Sequence, residues 1–251
     1  YVVKDHYHGD TLNSITFEQF LDMDIDIIIG SIPDHWVTYK RLRDTHKQSA
    51  KLVCHLGNIM WDNQKLLRDA GVVNLMASVK EFDAGVAHAV FYHQEAPTIP
   101  FKPYTNSNKA ITSFVHLLPR PDDYMTFKRL LPEYEWKAYG AGAPDGWSAS
   151  LSTMYEQMQA SMWGYHWKPM GDGMGHVIHS WAMVGRPVLV NYGDYKDKLA
   201  GELLVPDETC IALDTQEAPG VIADKIRKMS EPEIYSRMCM DMHARFTQRV
   251  N

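Results

Sequence analysis

The chain alternates short apolar runs with longer stretches of helical period. Ile25 to Ile29 is β-branched, ends in Gly30-Ser31-Ile32-Pro33 and reads as a buried strand. Residues 17–24 (FEQFLDMD) read as a short helix before it, and Asp34 is placed to cap a helix running to about His46. Lys51 to Leu56 (KLVCHL) is the next strand, closed by Gly57-Asn58. Asp62 opens a helix to Ala70, Gly71 stops it, and Val72 to Ala77 and His88 to His93 are the third and fourth strands. Strands that alternate with helices predict a parallel sheet with right-handed crossovers.

Residues 95–108 (EAPTIPFKPYTNSN) break the pattern with three prolines and no period, and read as a linker. The alternation then restarts. Ile111 to Leu118 is a strand, Pro121 to Leu131 a helix, and Glu135 to Tyr139 a strand ending in Gly140-Ala141-Gly142. Leu151 to Ser161 is a helix and Met162 to Trp167 a strand. Gly171, Gly173 and Gly175 precede an apolar helical run from His176 to Val184, which Gly185 ends before the strand Pro187 to Asn191. Val205 to Leu213 is mostly extended, and helices at about 216–229 and 231–248 finish the chain. The expectation is an α/β protein of two parallel-sheet domains, residues 1–94 and 109–251, joined by residues 95–108.

Composition narrows this reading. Apolar residues make up 45% and charged residues 22% of 251 positions, as in ordinary globular chains. No apolar run is long enough to cross a membrane, and the opening YVVKDHYHGD lacks the apolar core of a signal peptide. Cys54, Cys210 and Cys239 are odd in number and far apart, which suits reduced thiols and a cytoplasmic protein. A net charge of −6 without a basic stripe argues against general nucleic-acid binding and leaves nucleic acid open only as an acceptor.

Ligands of open parallel sheets sit beyond the carboxyl ends of the strands, which here means a cleft between the two domains. The amides from Gly171 through Gly173, Met174, Gly175 and His176 form a candidate diphosphate cradle. Glycine lets the backbone approach an anion, and the first N–H groups of a helix attract one. The alternative is a plain glycine-rich turn before a crossover helix. On the cradle reading, Gly175→Val abolishes nucleotide binding with a modest loss of stability; a turn that needs positive φ misfolds instead. His176 and His179 either touch sugar or phosphate or pack against the next strand. His55 and the His93-Gln94-Glu95 group end strands where a general acid or base is expected, or are plain loop residues. The aromatic set Trp147, Trp163, Tyr165 and Trp167 stacks on a sugar or fills the core. His6 and His8 have no further ligands in reach, and no metal is assigned.

Four stretches together resemble the nucleotide-sugar-binding half of GT-B glycosyltransferases. They are FVHLLPR at 114–120, KAYGAG at 137–142, GDGMGHVIHSWAMVGRPVLV at 171–190 and ELLVPDE at 202–208. The resemblance covers about residues 110–250 and is to the retaining group marked by two glutamates eight positions apart. It implies two Rossmann-like domains facing a cleft, the first abbreviated. Asp172 falls where the first glutamate stands and Ser180 where the second, a ribose ligand, stands. Serine there replaces a charge-assisted pair of contacts with a single hydrogen bond. Arg120 and Lys128 are the nearest candidates for the family's diphosphate cations, at approximately its spacing. Gly140 and Gly142 lie in the nucleotide-binding half. The implied activity is metal-independent transfer of a sugar from a UDP- or GDP-linked donor to an unidentified acceptor, with no separate cofactor. His55, Asp172 and Arg120 are then the candidate catalytic residues. A sugar-nucleotide epimerase and a non-catalytic binding module of the same fold are the alternatives.

Overall fold

A computed structural model describes residues 15–30, 36–56, 69, 71–77, 87–93, 99–105, 109–114, 121–169, 171 and 175–250. The chain divides into two compact units, the first ending at Val90 and the second running from Phe91. Each has its own sheet.

The first unit carries α1 (Phe17–Asp22), β1 (Ile27–Gly30), α2 (Trp36–His46), β2 (Lys51–Leu56), β3 (Asn74–Ala77) and β4 (His88–Phe91). Its sheet has the order β1-β2-β3-β4, with β1, β2 and β3 pairing in parallel. Thr16 caps α1 by accepting from the Gln19 amide while the Gln19 side chain returns the bond, a reciprocal cap that fixes where so short a helix starts. Alternate residues of β2 (Leu52, Cys54, Leu56) are buried with Leu75 and Ala77 of β3. β1 differs: Ile27 and Ile29 stay 54% exposed, so one face of this small sheet is left bare at its edge. The expected cap Asp34 and the expected helix 62–70 lie outside the described residues, apart from Asp69.

The second unit carries β5 (Ala110–Phe114), α3 (Pro121–Leu130), β6 (Glu135–Tyr139), α4 (Leu151–Ala160) and β7 (Trp163–His166). Then come α5 (His176–Met183), β8 (Val188–Val190), β9 (Cys210–Ala212), α6 (Pro219–Met229) and α7 (Pro232–Val250). All pairs in the sheet β6-β5-β7-β8-β9 are parallel. Every residue of β5, β7 and β8 is buried, as strands covered on both faces must be. Trp163, Trp181 and Tyr165 are among the largest side chains fully out of water. Each such aromatic removes about 150–250 Å² from solvent, a gain on the order of 4–6 kcal/mol. Gly164 makes room in β7 for Trp181 of α5: a Cβ there would meet its ring at 2.5 Å.

Residues 99–105, within the expected linker, pack onto the second unit. Phe101 stacks on His243 with ring centres 4.8 Å apart, and Tyr104 meets Tyr235 edge-on at 5.3 Å. The fully buried Arg186 fastens them. Its Nη1 donates to the Lys102, Val184 and Gly185 carbonyls at 3.0–3.2 Å, and its Nε and Nη2 donate to the Gln159 carbonyl at 3.3 and 2.9 Å. Its guanidinium also lies over the Tyr104 ring. A buried cation is tolerable because carbonyl dipoles replace its hydration. Within Val205 to Leu213, expected to be mostly extended, Cys210–Ala212 pairs as β9 and residues 207–209 turn; tight turns at Tyr192–Asp194 and Leu199–Leu203 precede this stretch.

Candidate functional site

In the order β6-β5-β7-β8-β9, the chain steps from β5 to β6 on one side and then crosses back to β7 on the other. Strand order therefore reverses between β5 and β7, and the helices on either side leave a crevice beyond their carboxyl ends. Two features of this edge bear on function.

The first is a cavity of about 460 Å³ at the ends of β5 and β6. It is lined by the aromatics Phe114, Tyr139 and Trp147, by Gly140, Leu151 and Met154, and by the hydroxyl residues Ser148 and Ser150. Phe114 and Tyr139 are near-parallel with centres 5.4 Å apart, and Trp147 is 71% exposed. The loop that carries Trp147 is braced. Asp145 accepts from the Ala138 amide at 2.7 Å, and the Gly140 amide donates to the Gly146 carbonyl at 2.7 Å. Ser150 caps α4 by accepting from the Thr153 amide at 3.1 Å. An aromatic-lined cavity of this size suits a planar heterocycle, which stacks on aromatic rings.

The second is the start of α5. Gly175 is its N-cap in the left-handed region (φ 67°, ψ 40°) and, being glycine, offers no capping side chain of its own. The first N–H groups of a helix point out of its start, where the helix dipole favours an anion. Asn191, just past β8, braces the approach to the glycine stretch: it accepts from the Lys168 amide at 3.1 Å and donates to the Lys168 carbonyl at 2.7 Å. The same amide donates to Asp194 at 2.6 Å, and the Gly171 amide donates to the Lys168 carbonyl. Gly171 has φ 66°, and a Cβ on it would meet Nζ of Lys198 at 2.5 Å. Lys198 is 4% exposed with its ammonium over the Tyr195 ring. Behind it, His166 at the end of β7 meets the Tyr195 hydroxyl at 2.8 Å. Lys198 thus brings a buried positive charge beside Gly171, the first glycine of the stretch that leads to α5.

No family model matches the chain, and no curated protein matches it in sequence. Solved structures do match in fold. A mutant of S. aureus TarM, in complex with fondaparinux, α-GlcNAc-glycerol and UDP, superposes with a TM-score of 0.69 at 11% identity, over 90% of this chain and 52% of TarM. Anabaena HepE in complex with UDP and glucose gives 0.67 at 16% identity, over 90% and 74% of the two chains. Sucrose-phosphate synthase from Thermosynechococcus elongatus gives 0.60 at 11%, over 90% and 69%. The chain has the GT-B fold, with an abbreviated first domain. It spans about half the length of TarM.

In this GT-B chain, the residues singled out from sequence fall into four groups. Gly140, Gly171, Gly175 and His176 all stand at the carboxyl edge of the second sheet, with Gly142 (φ 70°) in the loop after β6. His176 is exposed in the first helical position of α5. Ser180 lies one turn on, and its hydroxyl donates to the His176 carbonyl at 2.9 Å, so its single proton is engaged within the helix. Lys128 is exposed in the last turn of α3, the end that leads to the amino end of β6, and so stands at the opposite edge of the sheet. His55 lies near the end of β2 in the first unit, where burial lowers its basicity and keeps it neutral at pH 7. Arg120, Asp172, Gly173 and Met174 lie outside the described residues.

One expectation needs correcting. Gly175 is required by the backbone itself, because a Cβ there would meet Cβ of Ala200 at 2.5 Å in a conformation that side chains resist. Valine at this position unsettles the fold as well as any anion site. Asn191 and Lys198 escaped the sequence reading. They sit in or next to the polar run YGDYKDK, which has no period and looks like solvated loop.

Proposed function

We propose that the chain binds a nucleotide-diphosphate sugar at the carboxyl edge of its second sheet and transfers the sugar to an acceptor. The observation that carries this is the pairing, at one edge, of an aromatic base-sized cavity with a helix start whose N-cap is a glycine in the left-handed region. The first suits a nucleobase and the second a diphosphate. UDP accompanies TarM and HepE in their structures, which supports UDP as the nucleotide. In this reading the acceptor hydroxyl attacks the anomeric carbon, the bond to the β-phosphate oxygen breaks, and a nucleoside diphosphate departs. Its developing charge is met by the α5 amides, by Arg120 and by Lys198, without a metal ion. The acceptor's proton passes to a base, the role read for His55, and Asp172 is the acidic residue read as catalytic from the family motif. Retention of configuration is what the family resemblance implies.

The test is a panel of radiolabelled UDP- and GDP-sugars assayed for hydrolysis and for transfer to mixed acceptors, with EDTA present, beside titration of the free nucleotides. Turnover of one donor with submillimolar affinity for its nucleoside diphosphate is expected. Nucleotide binding without turnover on any acceptor contradicts transfer, and absence of binding contradicts the site.

A further inference from the structure

Behind the α5 start lies a chain of polar contacts. The Gly175 carbonyl accepts the His179 backbone amide at 2.9 Å and also meets Nδ1 of the His179 ring at 2.9 Å. A carbonyl only accepts, so His179 carries its proton on Nδ1 and its Nε2 is an acceptor. Nε2 faces Nδ1 of His93 at 3.1 Å, which must then be the donor. Nε2 of His93 faces the Glu202 carboxylate at 3.6 Å, and Glu202 in turn faces Arg249 at 3.5 Å. The proton positions on His179 Nδ1 and His93 Nδ1 follow in turn from a fixed carbonyl; a carboxylate also only accepts, so the contact with Glu202 is an ion pair when His93 carries a second ring proton. His179 is 1% exposed and the two rings meet edge to face, centres 5.3 Å apart.

A peptide unit is planar and trans, so the Gly175 carbonyl and the His176 amide point in opposite directions within one rigid plane. Fixing the carbonyl aims the amide. That amide is the first of α5 and points out of the helix start. We propose that His93 and His179 are positioning residues for the donor site: through the Gly175 carbonyl they hold the His176 N–H in line for the diphosphate. The two histidines are 86 positions apart in sequence, and neither need touch the nucleotide. This inference rests on the α5 start being the diphosphate end of the site.

Two measurements test it. The first needs no ligand: ring ¹⁵N resonances of the wild-type protein report the His179 tautomer. The Nδ1–H form is expected, neutral down to about pH 4, with His93, His176 and, beyond His93, Glu202 as the neighbouring titratable groups. The Nε2–H form overturns the relay. The second is UDP titration of wild type, His93→Ala and His93→Asn, with thermal melting alongside. Loss of one relay hydrogen bond weakens UDP about three- to tenfold in His93→Ala. In His93→Asn the amide nitrogen takes the place of Nδ1 and restores most of the affinity. Equal UDP affinity in wild type and His93→Ala overturns the proposal. A wild type that does not bind UDP overturns the donor-site reading instead, while the tautomer still decides the relay.

Discussion

Replacing Gly175 by alanine probes the start of α5 at its tightest point. Two independent costs arise. At φ 67° and ψ 40° a residue with a Cβ loses about 1–2 kcal/mol relative to glycine. The new Cβ also lies 2.5 Å from that of Ala200, where carbon atoms prefer about 3.5–4.0 Å. Ala200 has little room to retreat, since it is fully buried and a Cβ on the next residue, Gly201, would run into the Tyr195 carbonyl. Overpacking of this kind costs about 1–3 kcal/mol. Together the substitution removes about 2–5 kcal/mol, seen as a fall in Tm of about 5–20 °C. Urea denaturation of Gly175→Ala, Ala200→Gly and the double variant separates the two costs. Removing the Ala200 methyl relieves the contact but not the backbone strain, so the cycle should show a coupling of about 1–3 kcal/mol while the double variant keeps the strain of about 1–2 kcal/mol. A Gly175→Ala protein as stable as wild type, or a cycle without coupling, refutes this description of the α5 entry.

Trp147→Ala, at an exposed rim position, should leave Tm unchanged and weaken UDP about five- to a hundredfold, the worth of one base stack; calorimetric titration checks it, and unchanged affinity moves the base elsewhere. Burial lowers the pKa of His179 to about 4, so between the unfolded value near 6.5 and pH 4 the unfolded chain binds the extra proton. Stability is therefore complete above about pH 6.5 and falls as pH drops through this window, by on the order of 3 kcal/mol. Urea midpoints from pH 7 to 4 should show the fall in wild type and a shallower one in His179→Gln; equal slopes contradict it. Arg186→Met strips donors from the Gln159 and Lys102 carbonyls and should cost about 2–5 kcal/mol; a near-neutral change in denaturation midpoint contradicts the clamp.

What was legible in the sequence was what local pattern controls. Lys51–Leu56 and Glu135–Tyr139 emerge with the ends that apolar runs between turn residues set for them, and Val188–Val190 falls one residue inside each expected end. The start of α5 at His176 was legible because the glycines end where the apolar helical run begins. Strand ends blurred where apolar character continues past the pairing, as at Ile25, where pairing begins only at Ile27. The tight turns at 192–194 and 199–203 have no period to read. Least legible was the polar machinery. His93 reads alone as a strand-end loop residue and His179 as a core residue; only the crossing of distant segments brings their rings together. Lys198 looks solvated in its charged run, and its burial comes from folding back over Tyr195 beside Gly171. Pairings that depend on topology carry no local signature.

A crystal structure of the protein soaked with UDP tests the donor site most directly. The base should lie between Trp147 and Tyr139, with the diphosphate against the His176 amide at the start of α5. UDP bound away from the carboxyl edge of the second sheet, or absent at millimolar concentration, would contradict the proposed site.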